Sequence, residues 1–147
     1  MYFTTGRTMK HFLCALSMVM LGLVSNANAQ DRKPLETLKE WRGDNPNEAL
    51  SNNAPKFIAN SKDLEKLWKA WDIKEKLPEV DFAKEIILIA TTRGSRLNLK
   101  TTLDEKGNLQ LLGIATRDLR PGFRYVIISV NKAGIKTIEG KAITPAN

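Results

Sequence analysis

The chain has 147 residues, with 23 Lys plus Arg against 16 Asp plus Glu, a net charge of +7 and a pI near 9.6. That length allows one domain with a tail, and 42% hydrophobic with 27% charged residues excludes wholesale disorder. The single His and the single Cys are His11 and Cys14, and their position near the N-terminus bears on every chemistry considered below.

Residues 1–29 read as an export signal. Arg7, Lys10 and His11 form a positive start without acids, Phe12 to Val24 is an apolar run, and Ala27-Asn28-Ala29 supplies the small residues of a cleavage site. The run is shorter than the ~20 residues a membrane span requires, so cleavage after Ala29 is expected rather than a stable anchor. A mature chain from Gln30 onward holds no His and no Cys. Disulfides, thiol nucleophiles, His or Cys metal sites and Ser-His-Asp triads are then excluded, and an ordinary apolar core must hold an exported, periplasmic or secreted fold.

In chain order, residues 30–54 read as an N-terminal strand and loop extension. Leu35 to Trp41 suits a strand or a short helix, and Arg42 to Pro55, rich in Asn, Pro and Gly, suits a loop. Lys56 to Ala59 reads as a short strand. Asn60 or Ser61 can cap a helix predicted over 61–74, whose Leu64, Leu67, Trp68 and Trp71 recur at helical spacing and are expected in the core. Pro78 is its expected limit.

Everything after Pro78 reads as sheet. Ile86-Ile87-Leu88-Ile89-Ala90, within Glu85 to Thr92, is too continuous for a one-sided strand and predicts a central one covered on both faces. Leu97, Leu99, Thr101 and Leu103 alternate with polar residues, which predicts one buried and one wet face. Asp104 to Asn108 is a hairpin loop with Gly107 at a positive-φ position. The parity shift at Leu111-Leu112 beside Gly113 suggests a bulge in the return strand, and Pro121-Gly122 fits a type II turn. Phe123 to Val130 is another two-faced strand, and Ile135 to Glu139 a last short one. The fold class expected is α+β, one amphipathic helix on an antiparallel meander of five or six strands, in a single domain.

Leu64-Glu65-Lys66-Leu67-Trp68, followed by Pro78-Glu79-Val80-Asp81-Phe82-Ala83-Lys84-Glu85-Ile86-Ile87-Leu88, resembles the PrcB-like family, named for a component that stabilises an extracellular protease complex. The resemblance covers roughly residues 55–139 and implies a PrcB-like α+β domain over 55–143. Gly94-Ser95-Arg96-Leu97 stands where that family often has a Gly-Gly-Tyr stretch. The family implies a small, exported, non-enzymatic interaction domain and brings no catalytic residues.

The charge excess concentrates between residues 91 and 132, where Arg93, Arg96, Lys100, Lys106, Arg117, Arg120, Arg124 and Lys132 face only Asp104, Glu105 and Asp118. Arg96, Lys100, Arg117, Arg120 and Arg124 are the candidate binding surface, because arginine forks pair with carboxylates and sulfates. Trp41 is the candidate exposed aromatic. Asp81 is expected to accept backbone hydrogen bonds at a strand entrance, and Asp104-Glu105 to be a solvated tip. No catalytic, cofactor-binding or metal-binding set is assigned. The function expected is binding and stabilising another exported protein. The alternatives are an acidic-polymer or acidic-glycan binder and a small carboxylate-based hydrolase, whose acid-base groups would come from Asp, Glu, Lys and Tyr125. Nucleic acid is not an expected partner, since no motif for it is present.

Overall fold

The computed structural model describes residues 32–143; the export-signal reading of residues 1–29, with His11 and Cys14, lies outside them. In chain order the elements are β1 (Lys33–Pro34), β2 (Thr37–Asn45), a 3-10 helix (Glu48–Asn53), β3 (Phe57–Ile58), α1 (Ser61–Ala70), β4 (Glu85–Thr92), β5 (Leu97–Leu103), β6 (Asn108–Ala115), β7 (Phe123–Asn131), β8 (Thr137–Ile138) and β9 (Lys141–Ala142). No helix among the described residues is long and apolar enough to cross a membrane.

The class is α+β, mostly sheet, but the strands do not run as one meander. They form a four-stranded sheet in the order β2-β7-β4-β3 and a five-stranded sheet in the order β1-β5-β6-β8-β9. The physical reason lies in β4 and β7, which are apolar on both faces. Ile87 and Ile89 of β4 join Phe123, Tyr125 and Ile127 of β7 in a core with Leu64, Leu67, Trp68 and Trp71. Ile86 and Leu88 join Val126, Ile128 and Val130 in a second core with Leu97 and Leu109. One helix covers one face only, so the β5–β6 hairpin crosses over to cover the other. The expected Gly113 bulge is also absent. The β5–β6 register runs unbroken from Leu97↔Ala115 to Leu103↔Leu109, and the Leu111-Leu112 pair simply places one Leu on each face. The final segment folds as the β8–β9 pair, with β8 parallel to the start of β6.

The N-terminal stretch is built into the fold rather than appended to it. β1 joins one sheet and β2 the other, and Arg42 to Asn45, expected in a loop, continue the ladder with β7 as far as Asn45↔Phe123. These four residues carry no apolar side chain; a buried partner strand imposes their conformation. The rest of the expected loop includes the 3-10 helix.

Helix α1 starts where the cap predicts, with Asn60 Oδ1 accepting the Asp63 N–H at 2.8 Å. The Asn60 side chain, then Lys66, holds the Asp63 carboxyl below its usual range. The helix ends at Ala70, short of 74, well before Pro78. Asp72 (φ 50°) takes the left-handed conformation, with Asp72 N–H donating to Lys69 O and Ile73 N–H to Trp68 O, the two bonds of a Schellman stop. Asn45 then ties β2 to this end, its buried Nδ2 donating to Trp71 O at 2.7 Å.

Candidate functional site

Two chain crossings carry the backbone between the sheets, Arg93 to Arg96 going out and Thr116 to Gly122 coming back. They are zipped together. Asp118 Oδ1 accepts from both the Ser95 N–H and the Ser95 hydroxyl at 3.0 Å, and Thr116 Oγ1 accepts from the Arg96 N–H at 3.1 Å. The Ser95 amide, with the Thr116 and Ser95 hydroxyls and Arg120, holds the Asp118 carboxyl far below the usual carboxylate range. Gly94 is required here, because a Cβ would press into the Thr116 carbonyl oxygen. Gly122, at φ 71°, meets the expectation of a positive-φ turn position.

This zipped end gathers part of the predicted basic set. Arg96 and Arg124 line a notch of about 410 Å³ together with Arg42, Ser95 and Asn98. Lys100 stands instead on the outer face of β5, and Arg117 and Arg120 are exposed in the returning crossing. The five residues therefore do not converge on one face: β5 and β7 belong to different sheets. Several guanidinium donors are committed to the fold. Arg124 donates to Arg93 O at 3.3 Å and Pro121 O at 3.1 Å, and Arg120 Nε meets Asp118 Oδ2 at 3.2 Å. Arg42 pairs with Glu40 and donates to Leu97 O at 2.6 Å, so it clamps one sheet to the other. Sequence reasoning missed Arg42 because it read that position as loop.

The predicted surface aromatic is not exposed. Trp41 is half-buried against the helix core, edge-on to Trp68 with ring centroids 5.9 Å apart. Its alternation along β2 points it at α1. Trp68 and Trp71 are buried as expected. Asp81 accepts the Ala83 N–H at 3.1 Å at the entrance to β4, the role the sequence predicts, while Asp104, expected in a solvated tip, accepts the Lys106 and Asn108 N–H groups and holds the hairpin turn. Tyr125 is buried against Trp71, and this burial, with Glu75 and Asp44 secondary, raises its phenol above 10.0. Among the described residues no group of three or more His, Cys, Asp or Glu side chains is placed to hold a metal.

Leu112 and Ile114, with relative exposures of 58% and 45%, project from β6 onto the outer face of the five-stranded sheet. Their cross-strand partners on β5 are Lys100 and Asn98, and Arg96 lies opposite Thr116 just beyond. Leu119, at 74%, is exposed in the returning crossing beside Arg120. An apolar centre with a basic rim is thus formed on one face. The sequence held a signal for it in the outward Leu112, which the bulge reading concealed. On the inner side of β6, a groove of about 340 Å³ runs between β6 and β4. No family model matches the chain, and no curated protein or solved structure is significantly similar to it.

Proposed function

We propose that this chain is an exported, non-enzymatic domain that binds another exported protein and stabilises a complex outside the cytoplasm. The observation that carries the reading is the exposed pair Leu112 and Ile114 beside Lys100 and Arg96. Apolar side chains at this exposure on an ordered strand are costly to leave in water, and an apolar centre rimmed by Arg and Lys is how protein interfaces are commonly built. The export-type sequence of residues 1–29 and the PrcB-like resemblance over 55–139 support the same class of role.

A second reading, binding of an acidic polymer, is favoured by the exposed Arg96, Arg117 and Arg120. Salt separates the two. The intact protein is used to capture a partner from its envelope fraction, and association and dissociation are then followed at low and high ionic strength. A protein partner held by the apolar centre slows in association as salt rises and keeps most of its residence time. An acidic polymer loses affinity steeply, because screening acts on every exposed contact. Retention of a captured protein after a high-salt wash supports the first reading, and elution of acidic polymer alone overturns it.

A further inference from the structure

The hydrogen-bond phase of β6 has a consequence for how a partner docks. Thr116 N–H donates to Arg96 O and Asp104 N–H to Asn108 O, so the bonded pairs of the β5–β6 ladder fall on the even-numbered residues of β6. The N–H and C=O groups of Leu111, Gly113 and Ala115 therefore point the other way, to the outer edge. There β8 pairs only with Asn108 and Leu109. Among the described residues, no backbone group bonds the edge side of Leu111, Gly113 or Ala115.

The other sheet edges are blunted. β2 carries Lys39, Glu40, Arg42 and Asp44, β3 and β9 are two residues each, and the far edge of β5 has its Leu97 carbonyl covered by Arg42 and its end paired with β1. Charge, shortness and covering are the usual protections of an edge strand. Beyond its β8-paired start at Asn108 and Leu109, β6 has none of them: Asn108–Ala115 contains no charge and no proline.

Beneath this edge lies the groove of about 340 Å³, lined on the inter-sheet side by Ala90, Leu99 and Leu111 and also by Ala54 and Pro55. Lys56 and Glu139, paired with each other, line the same groove. Gly113 keeps the floor low without any need of the fold, since a Cβ there would meet only ordinary contacts, 3.7 Å from Leu97 Cδ1 and 3.9 Å from Ala90 Cβ. Above the sheet, the outward positions on β5 and β6 include Lys100 and no acid, and Arg96 stands at the notch just before β5. An added strand would lie two strand spacings from them, about 10 Å, which a Lys or Arg and a Glu span together.

Resting on the protein-binding reading above, we propose that the partner docks by strand addition. An extended segment, apolar at its inward positions and acidic at its outward ones, pairs with Leu111–Ala115, fills the groove from above and faces Lys100 and Arg96 with its carboxylates.

The probe is the capped peptide Glu-Val-Asp-Val-Glu-Val-Asp, added to the intact protein, with affinity read by anisotropy and the site by amide hydrogen exchange. Strand addition predicts slowed exchange at Leu111, Gly113 and Ala115, and about tenfold or more loss of affinity when alternate peptide amides are N-methylated in one of the two phases. Replacing the acids by Lys weakens it similarly. Ala115→Pro removes an edge N–H that β5 does not use and weakens binding as well; if that variant does not fold, the N-methylated peptides on the unaltered protein decide alone. Equal binding of both N-methylated peptides, or protection elsewhere, overturns strand addition. A captured protein that leaves exchange at Leu111, Gly113 and Ala115 unchanged overturns it too, while leaving the protein-binding reading standing.

Discussion

Tyr125 lies over Gly43. The two are cross-strand partners in the β2–β7 ladder, and a Cβ at position 43 would fall inside the phenol. The ring has nowhere to retreat, because it sits 5.2 Å from Trp71 and 6.4 Å from Phe123, centroid to centroid. Gly43→Ala should therefore destabilise the protein by about 1–3 kcal/mol, the usual cost of overpacking. A urea denaturation curve measures it, and an unchanged midpoint would show that the ring is free to move.

The same burial makes Tyr125 a pH sensor for stability. Its phenol titrates above 10.0 in the folded protein, so the unfolded chain loses its proton first as pH rises. The contribution is fully present below about pH 10 and is lost as pH climbs from there through the raised folded value. In a chain beginning at Gln30, Tyr125 is the only tyrosine, so ultraviolet absorbance follows it directly. Tyr125→Phe should flatten the alkaline fall in melting temperature.

Asp118 works with the opposite sign. Its carboxyl is held low by the Ser95 amide and the Thr116 and Ser95 hydroxyls, so its contribution is present above the ordinary value of 3.8 and is lost as pH falls below it towards the depressed folded value. Asp118→Asn should speed hydrogen exchange at Ser95 and reduce the acid sensitivity of the zipped crossings. Exchange at the β4–β7 ladder should stay unchanged, because neither strand depends on this loop contact.

At the end of α1, Asp72 occupies a left-handed position that favours glycine. Asp72→Gly should stabilise the protein by a few tenths to about 1 kcal/mol, since the backbone strain relieved exceeds the added freedom of the unfolded chain. Thermal melting checks the direction.

Much of this architecture is readable from local pattern. Leu64, Leu67, Trp68 and Trp71 share a helix face whatever lies beneath, and Ile86 to Ala90 leave β4 no wet side. The two-faced β4 and β7 already demand a second covering layer, yet the succession of strands after Pro78 reads as a meander because nothing local marks a crossing between sheets. Arg42 to Asn45 become strand only through pairing with β7, so no window of their own sequence signals it. The candidate site was half legible for the same reason. Arg96 and Arg124 meet at a notch through chain crossings, Arg42 arrives there from a strand concealed as a loop, and Leu112 points outward in a strand without a bulge.

The most direct test of a protein-docking face on β6 is the dissociation rate of a captured partner from the Leu112→Asp, Ile114→Asp double variant at high salt. Both side chains project to solvent, so the variant should melt within a few degrees of the parent. Dissociation should be faster by about tenfold or more, with Arg117→Ala, Arg120→Ala changing mainly the association rate. A partner that leaves the folded Leu112→Asp, Ile114→Asp protein no faster than it leaves the parent would contradict it.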